Sequence, residues 1–443
     1  MVVACDSKGL TPVRHSFRRP PYRADYLCDL GFKRMCPRCV WTCVMSGTTV
    51  VKADRWTVMR RSSPIRGATL SSARRSQENR RMTDGGLDRF VANALVERKL
   101  IGVSVATLAG DTTVATSSAG PGDLASGSPM SVEAACNWFS MTKIVTATAA
   151  MMLAESGELD LDAPVGQYLG DTWPAGFASA RVRHLLSHSS GLRNPLPIRW
   201  VHRAGASRPE PRAWLERLLA KQRGPRFEPG SRAAYSNVGY LALGEVIATA
   251  AGTSYEAFIT AELLRPLAMT HTAFGWGQLP TETVRATGHQ QLPRILTPAL
   301  ARFLPRDLIG ERTGKYIALK AFELDGAAYG GLIGPVTDAA RLVALHCNDG
   351  IVDGTRLLSA RSVDAMAAIT TKGKSYDLGL GWFRPNNDHG HRIEHFGGGM
   401  GFWNVLRVDP RASRGVVIMS NITRHWEITD LADQALDDAL ELG

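Results

Sequence analysis

The sequence predicts an α/β fold of the α+β kind, an antiparallel sheet flanked by helices with an α-helical domain inserted at about residues 158–325. Three observations point there. Short β-prone runs lie near residues 102–120 and again at 391–421, while the chain between them is Pro-punctuated and helical in pattern. Two strongly apolar stretches, the first uncharged from Ile144 to Ala154 and the second with Glu245 as its one charge, read as buried helices. Strands at both ends of the domain must then pair across a long intervening segment.

Taken in order, "GVSVATLAG" (102–110) and "TTVATSSAG" (112–120) read as a hairpin turning at Gly110 and Asp111. Residues 139–156 carry no charge from Ile144 to Ala154 and stop at Gly157. A helix apolar on all sides belongs inside a domain. "PRAWLERLLAKQ" (211–222) is amphipathic, and "GYLALGEVIATAAG" (239–252) is a second apolar helix closed by Gly252. "HRIEHF" (391–396), "FWNVLRVDP" (402–410) and "GVVIMSN" (415–421) read as strands joined by Gly- or Pro-containing turns, before an acidic last helix, "ITDLADQALDDALEL" (428–442).

The net charge of +11 is unevenly placed. Residues 1–81 hold 17 basic and 5 acidic residues, and the remainder holds 35 and 36. A near-neutral residue 82–443 domain gives no footing for nucleic acid, and none is expected as a partner. Residues 1–81 read as a basic, disordered leader, with Met82 a plausible native start. Four of its five cysteines, Cys28, Cys36, Cys39 and Cys43, could bind zinc, but the second pair lacks matching spacing. The apolar run "VWTCVMSGTTVV" is a diluted export signal. Cys136 and Cys347 form no disulfide pattern, so a reducing, cytoplasmic setting is the simpler expectation. No run of 18 apolar residues occurs, which predicts no stable membrane insertion.

Chemistry concentrates in "NWFSMTK" (137–143). Ser140 and Lys143, three apart at a helix start, share a face. A serine hydroxyl is a weak nucleophile until a neighbouring base takes its proton, and a lysine serves as that base only when burial makes it neutral. The helix N-terminus would favour a developing oxyanion. "YSN" (235–237) adds a phenol and an amide at the start of the second apolar helix. "HFGG" (395–398) reads as a strand end running into a glycine turn with free N–H groups. No Gly-x-Ser-x-Gly elbow, His-Glu-x-x-His pair, metal site or nucleotide site is visible in residues 82–443, and no cofactor is expected.

In that order, Ser-x-x-Lys, Tyr-x-Asn and His-x-Gly resemble the serine β-lactamase and penicillin-binding-protein superfamily, specifically its class C β-lactamase-like branch, which includes many esterases. "RHLLSHSSGL" (183–192), "FEPGSRAAYSNVGYLALGEVI" (227–247), "GGLIGPVTDAARL" (330–342) and "GLGW" (379–382) extend the likeness over about residues 95–425. The resemblance implies a β-lactamase/transpeptidase-like fold with its active site between sheet and helical insertion. It implies Ser140 as acylated nucleophile, Lys143 as proton acceptor and Tyr235 as proton carrier to the leaving group. It further implies Asn237 on the acyl chain, Gly398 with Ser140 supplying oxyanion N–H groups, and His188 in a structural turn.

Penicillin-recognising members typically carry Lys-Thr-Gly where this chain has His395-Phe396-Gly397. An imidazole and an apolar ring replace the cation and hydroxyl that would hold a carboxylate. The expected function is therefore hydrolysis of carboxylic esters, with a small-molecule ester or amide substrate. A β-lactamase or D-Ala-D-Ala carboxypeptidase is the enzymatic alternative. The basic leader motivates another, a non-catalytic binding or assembly module. Trp138, Trp403 and Tyr329 fit either cleft lining or core. Oligomeric state stays open.

Overall fold

A computed structural model describes residues 86–195, 200–292, 306–373, 376–385, 390–423 and 428–440. The basic leader, its cysteines and the diluted export signal fall outside these residues.

Seven strands form one antiparallel sheet: β1 (Val103–Ala109), β2 (Thr112–Ala119), β3 (Tyr376–Leu378), β4 (Phe383–Pro385), β5 (Ile393–Gly399), β6 (Phe402–Asp409) and β7 (Arg414–Ser420), in spatial order β3-β4-β5-β6-β7-β1-β2. The hairpin expected near residue 110 is β1–β2, and β1 pairs with β7 from Val103 opposite Ser420 to Ala109 opposite Arg414. Alternation then sorts the side chains. Val103, Val105, Val405, Val416 and Ile418 meet Leu87 and Val91 of α1 (Gly86–Glu97) and Leu431 and Leu436 of the C-terminal helix Ile428–Leu440. Ala106, Leu108, Leu406 and Val417 join the larger core on the other face. With both faces covered, β6 and β7 are buried almost throughout.

The larger core is built around two helices without a polar face. α2 (Thr142–Ser156) follows a 3₁₀ turn at Phe139–Met141 and ends where Gly157 takes φ +82°. α3 (Asn237–Ala251) begins where the Ser236 hydroxyl accepts the Gly239 N–H at 3.1 Å, and ends at Gly252 in the left-handed region. The short α4 (Ala327–Gly330) lies so close to α3 that a Cβ on Gly244 would stand 2.5 Å from that of Ala328. α5 (Val336–Cys347) packs within the same core, and the C-terminal helix just described is α6.

Residues 158–325 contain helices at Val182–Leu186 and Pro211–Leu219 besides α3, and also short strands. His289–Gln291, Tyr316–Leu319 and Ile309–Thr313 form a four-stranded sheet with Ile422–Thr423. At three to five residues each, they are too short for alternation to show in sequence.

The glycine run after His395 also differs from its expected turn. Gly397, Gly398 and Gly399 continue β5, opposite Asn404, Trp403 and Phe402, and the chain reverses only beyond them. Close approach explains the residue type. A Cβ on Gly397 would stand 1.9 Å from the Trp138 carbonyl oxygen, and one on Gly399 would stand 2.0 Å from the Phe139 ring.

Candidate active site

That contact brings the Phe139–Met141 turn onto β5. Phe139 holds φ +50°, a left-handed conformation a bulky residue rarely takes, and it leaves the next residue, Ser140, half-buried at the mouth of α2. Ser140 Oγ lies 2.6 Å from Tyr235 Oη and 3.0 Å from Lys143 Nζ. Two residues 95 apart in sequence thus meet across the site.

Lys143 is fully buried, and burial holds its pKa well below the ordinary lysine value. Nζ donates to the Tyr329 carbonyl at 2.6 Å. The rings of Tyr235, Tyr240 and Tyr329 surround it at 4.9, 5.4 and 5.3 Å. Among the described residues no carboxylate pairs with it. Burial thus weakens the charged form of an amine that sits within hydrogen-bond distance of the Ser140 hydroxyl, and the ring faces would moderate any ammonium charge there.

Asn237 opens α3, is almost fully buried and donates its backbone N–H to Asn194 Oδ1 at 2.9 Å. Its side-chain oxygen has no partner among the described residues. His395 donates from Nδ1 to the Phe396 carbonyl at 2.8 Å, which leaves the lone pair on a buried, unpartnered Nε2. Its ring stacks on Phe383 at 4.3 Å. Burial, with help from Lys143, pushes its pKa down to about 3, so the imidazole is neutral. Gly398 is half-buried on β5, where the Trp403 ring occupies the space a Cβ would need.

The sequence profile of the family described as Beta-lactamase matches residues 87–440. This chain belongs to the beta-lactamase family. As a family member it is 26% identical over 271 residues to penicillin-binding protein 4* of Bacillus subtilis (strain 168), a match covering 60% of this chain and 56% of that one. It therefore spans little more than half the length of that relative. Among solved structures, D-amino acid amidase from Ochrobactrum anthropi SV3 superposes with TM-score 0.65 at 21% identity, covering 80% of this chain and 97% of the other. EstCE1, a hydrolase with promiscuous acyltransferase activity, superposes with TM-score 0.60 at 19% identity, covering 85% and 100%. Both likenesses are of fold. The α/β architecture with its antiparallel sheet is that of the beta-lactamase and penicillin-binding-protein superfamily.

Within this beta-lactamase-family site, the structure brings Ser140, Lys143 and Tyr235 into direct contact. It sets His395 within electrostatic reach of Lys143. Trp138 belongs to the core, its indole N–H donating to the Gly334 carbonyl at 3.1 Å, whereas Trp403 is half-buried. Two further residues join the site. Tyr329 contributes through its main-chain oxygen, which carries no signature in a side-chain motif. His188 packs against Tyr235 with ring centroids 4.5 Å apart. The segment "RHLLSHSSGL" marks its neighbourhood but not that contact.

Among the described residues no helix is long and apolar enough to cross a membrane. Cys136 and Cys347 are buried free thiols.

Proposed function

We propose that the protein is a serine hydrolase that cleaves carboxylic esters through an acyl-enzyme on Ser140. The observation that carries this reading is Ser140 Oγ held between the buried Lys143 amine, whose pKa burial lowers, and the Tyr235 phenol. Oγ attacks the ester carbonyl as its proton passes to Lys143 Nζ. The oxyanion forms at the N-terminus of α2, with the N–H groups of Ser140 and Gly398 as its donors. Collapse breaks the bond to the alcohol oxygen, which takes the proton from Lys143 by way of Tyr235. Water then attacks the acyl-enzyme, giving a proton to the same base; the acyl–Oγ bond breaks, Ser140 Oγ takes that proton back, and the carboxylic acid leaves. Asn237 positions the acyl chain.

The ester preference is supported by the neutral His395 and apolar Phe396, which offer no cation to a substrate carboxylate. EstCE1 shares the fold and is named as a hydrolase with acyltransferase activity. Relatedness to penicillin-binding protein 4* favours a second reading, attack on a β-lactam or a D-Ala amide by the same serine.

The test combines p-nitrophenyl butyrate turnover, nitrocefin turnover and labelling by a fluorophosphonate probe. Ester hydrolysis with a label that vanishes in Ser140→Ala is the expected result. Nitrocefin turnover at a rate matching good esters would move the function to the second reading. No turnover and no label would sink both and favour a non-catalytic module.

A further inference from the structure

Nothing in the proposed chemistry requires His188, yet it holds the catalytic tyrosine from three directions. Its main-chain carbonyl accepts the Ala234 N–H at 2.8 Å. Its ring Nδ1 accepts the Ser236 N–H at 3.2 Å. The residues on either side of Tyr235 are thereby fastened to one histidine, whose ring also packs against that of Tyr235 with centroids 4.5 Å apart and planes tilted by 36°. On another side the imidazole packs against Tyr240 at 4.9 Å, and the Tyr240 hydroxyl donates to the Leu186 carbonyl at 3.0 Å, tying this group of rings to the same turn. His188 is 1% exposed and takes φ +52°, a conformation costly outside glycine and asparagine that persists where surrounding contacts enforce it.

The hydrogen bond to Ser236 also sets the tautomer. Nδ1 must present a lone pair, so the ring hydrogen sits on Nε2, and the ring must be neutral. Burial first, then the proximity of Lys143 and His395, hold its pKa well below the ordinary value, in keeping with that requirement. Ser236 in turn caps α3. One acceptor atom and one closely packed ring therefore hold both the main chain and the ring of Tyr235.

We propose that His188 is a positioning residue for the acyl-transfer chemistry, aligning the Tyr235 hydroxyl on Ser140 Oγ through its Nδ1 and its ring. The inference rests on the acyl-enzyme reading above. Displacing a reacting group by an ångström lowers rates by up to about 100-fold, so the contribution is measurable.

The experiment uses the full chain with His188→Phe, which keeps a ring and loses the acceptor, and His188→Asn, which restores an acceptor near the Nδ1 position. Each is made alone and on Tyr235→Phe, with melting temperature recorded. kcat and KM for p-nitrophenyl butyrate and the rate of fluorophosphonate labelling at Ser140 are measured. His188→Phe should lower kcat by about 10- to 100-fold with KM changed less than about twofold, and His188→Asn should recover part of the loss. On Tyr235→Phe the same His188→Phe change should alter labelling by less than about twofold, because nothing is left to align. Equal losses in both backgrounds would make His188 a general structural residue and overturn the proposal, as would an unchanged kcat in His188→Phe. Should His188→Phe fail to fold, His188→Asn carries the same comparison between backgrounds. A wild-type protein that takes no label would sink the acyl-enzyme reading and this inference together. A labelled wild type with indifferent His188 variants would sink this inference alone.

Discussion

Glu394 and His395 are neighbours on β5, and the two faces they point to treat buried charge in opposite ways. On the α6 face, Arg407 and Arg392 are almost wholly buried but answered by carboxylates. Arg407 lies 2.9 Å from Glu394 and 3.0 Å from Asp433, and Arg392 lies 2.6 Å from Asp433 and 3.1 Å from Asp409. On the Ser140 face, Lys143, His188 and His395 are equally buried with no carboxylate paired to them among the described residues. Burial and, for the two imidazoles, the neighbouring Lys143 push all three toward the neutral form. Counter-ions decide whether a buried cation stays charged. The Ser140 face favours the neutral forms of its groups by withholding counter-ions.

The largest test of this contrast is Lys143→Met. Nucleophile and base act as a unit, so labelling at Ser140 should fall by roughly 10³- to 10⁴-fold or more. Stability should hold or rise, since an apolar side chain of similar volume replaces a polar one that burial penalises. A melting temperature well below wild type would show that Lys143 is mainly structural.

Arg407→Met on the opposite face should do the reverse. Leaving Glu394 buried without its partner should cost about 3–5 kcal/mol in denaturant unfolding. The rate per folded molecule should stay within about twofold. A large change in rate with unchanged stability would erase the distinction between the faces.

The smallest effect sharpens the comparison through pH. Burial, partly offset by Arg407, raises Glu394 from 4.5 to about 7. Between those values the folded protein keeps a proton that the unfolded chain has lost, so this group's contribution to stability falls as pH rises from about 4.5 to about 7. His395, lowered from 6.5 to about 3, has the opposite sign, because its contribution falls as pH drops through that interval. From pH 4.5 to 6.5 the two oppose. Glu394→Gln removes one of them, so its melting temperature should climb with pH across that window more steeply than wild type, by at most about 1.4 kcal/mol per pH unit. Overlapping melting curves for the two proteins at every pH would refute the assignment.

Much of this was legible in sequence, for identifiable reasons. α2 and α3 were readable because a long, strongly apolar run closed by a glycine has few other meanings, and Gly157 and Gly252 do adopt left-handed caps. The hairpin and late strands were readable from alternation. The meeting of Ser140, Lys143 and Tyr235 was readable because each makes its contact through its own side-chain polar group, which a sequence motif records. What escaped was contact made by generic parts. Gly397–Gly399 looked like a turn because glycine usually marks one, but here it makes room for Trp138 and the Phe139 ring. Tyr329 acts through a carbonyl that any residue possesses. His188 looked like a turn residue, and it is one; that its turn folds under a tyrosine 47 positions later is a tertiary fact without local pattern.

The seat that Gly397 leaves for the Trp138 carbonyl also bears on timing during synthesis. A nascent chain presents Ser140, Lys143 and Tyr235 long before β5 exists, and the strand that meets the serine's turn is made some 260 residues after it. β1 must wait longer still for its partner β7. Pairings of such long sequence separation form late and slowly. A ribosome-bound chain would therefore carry Ser140 without a finished site until β5 to β7 have been made.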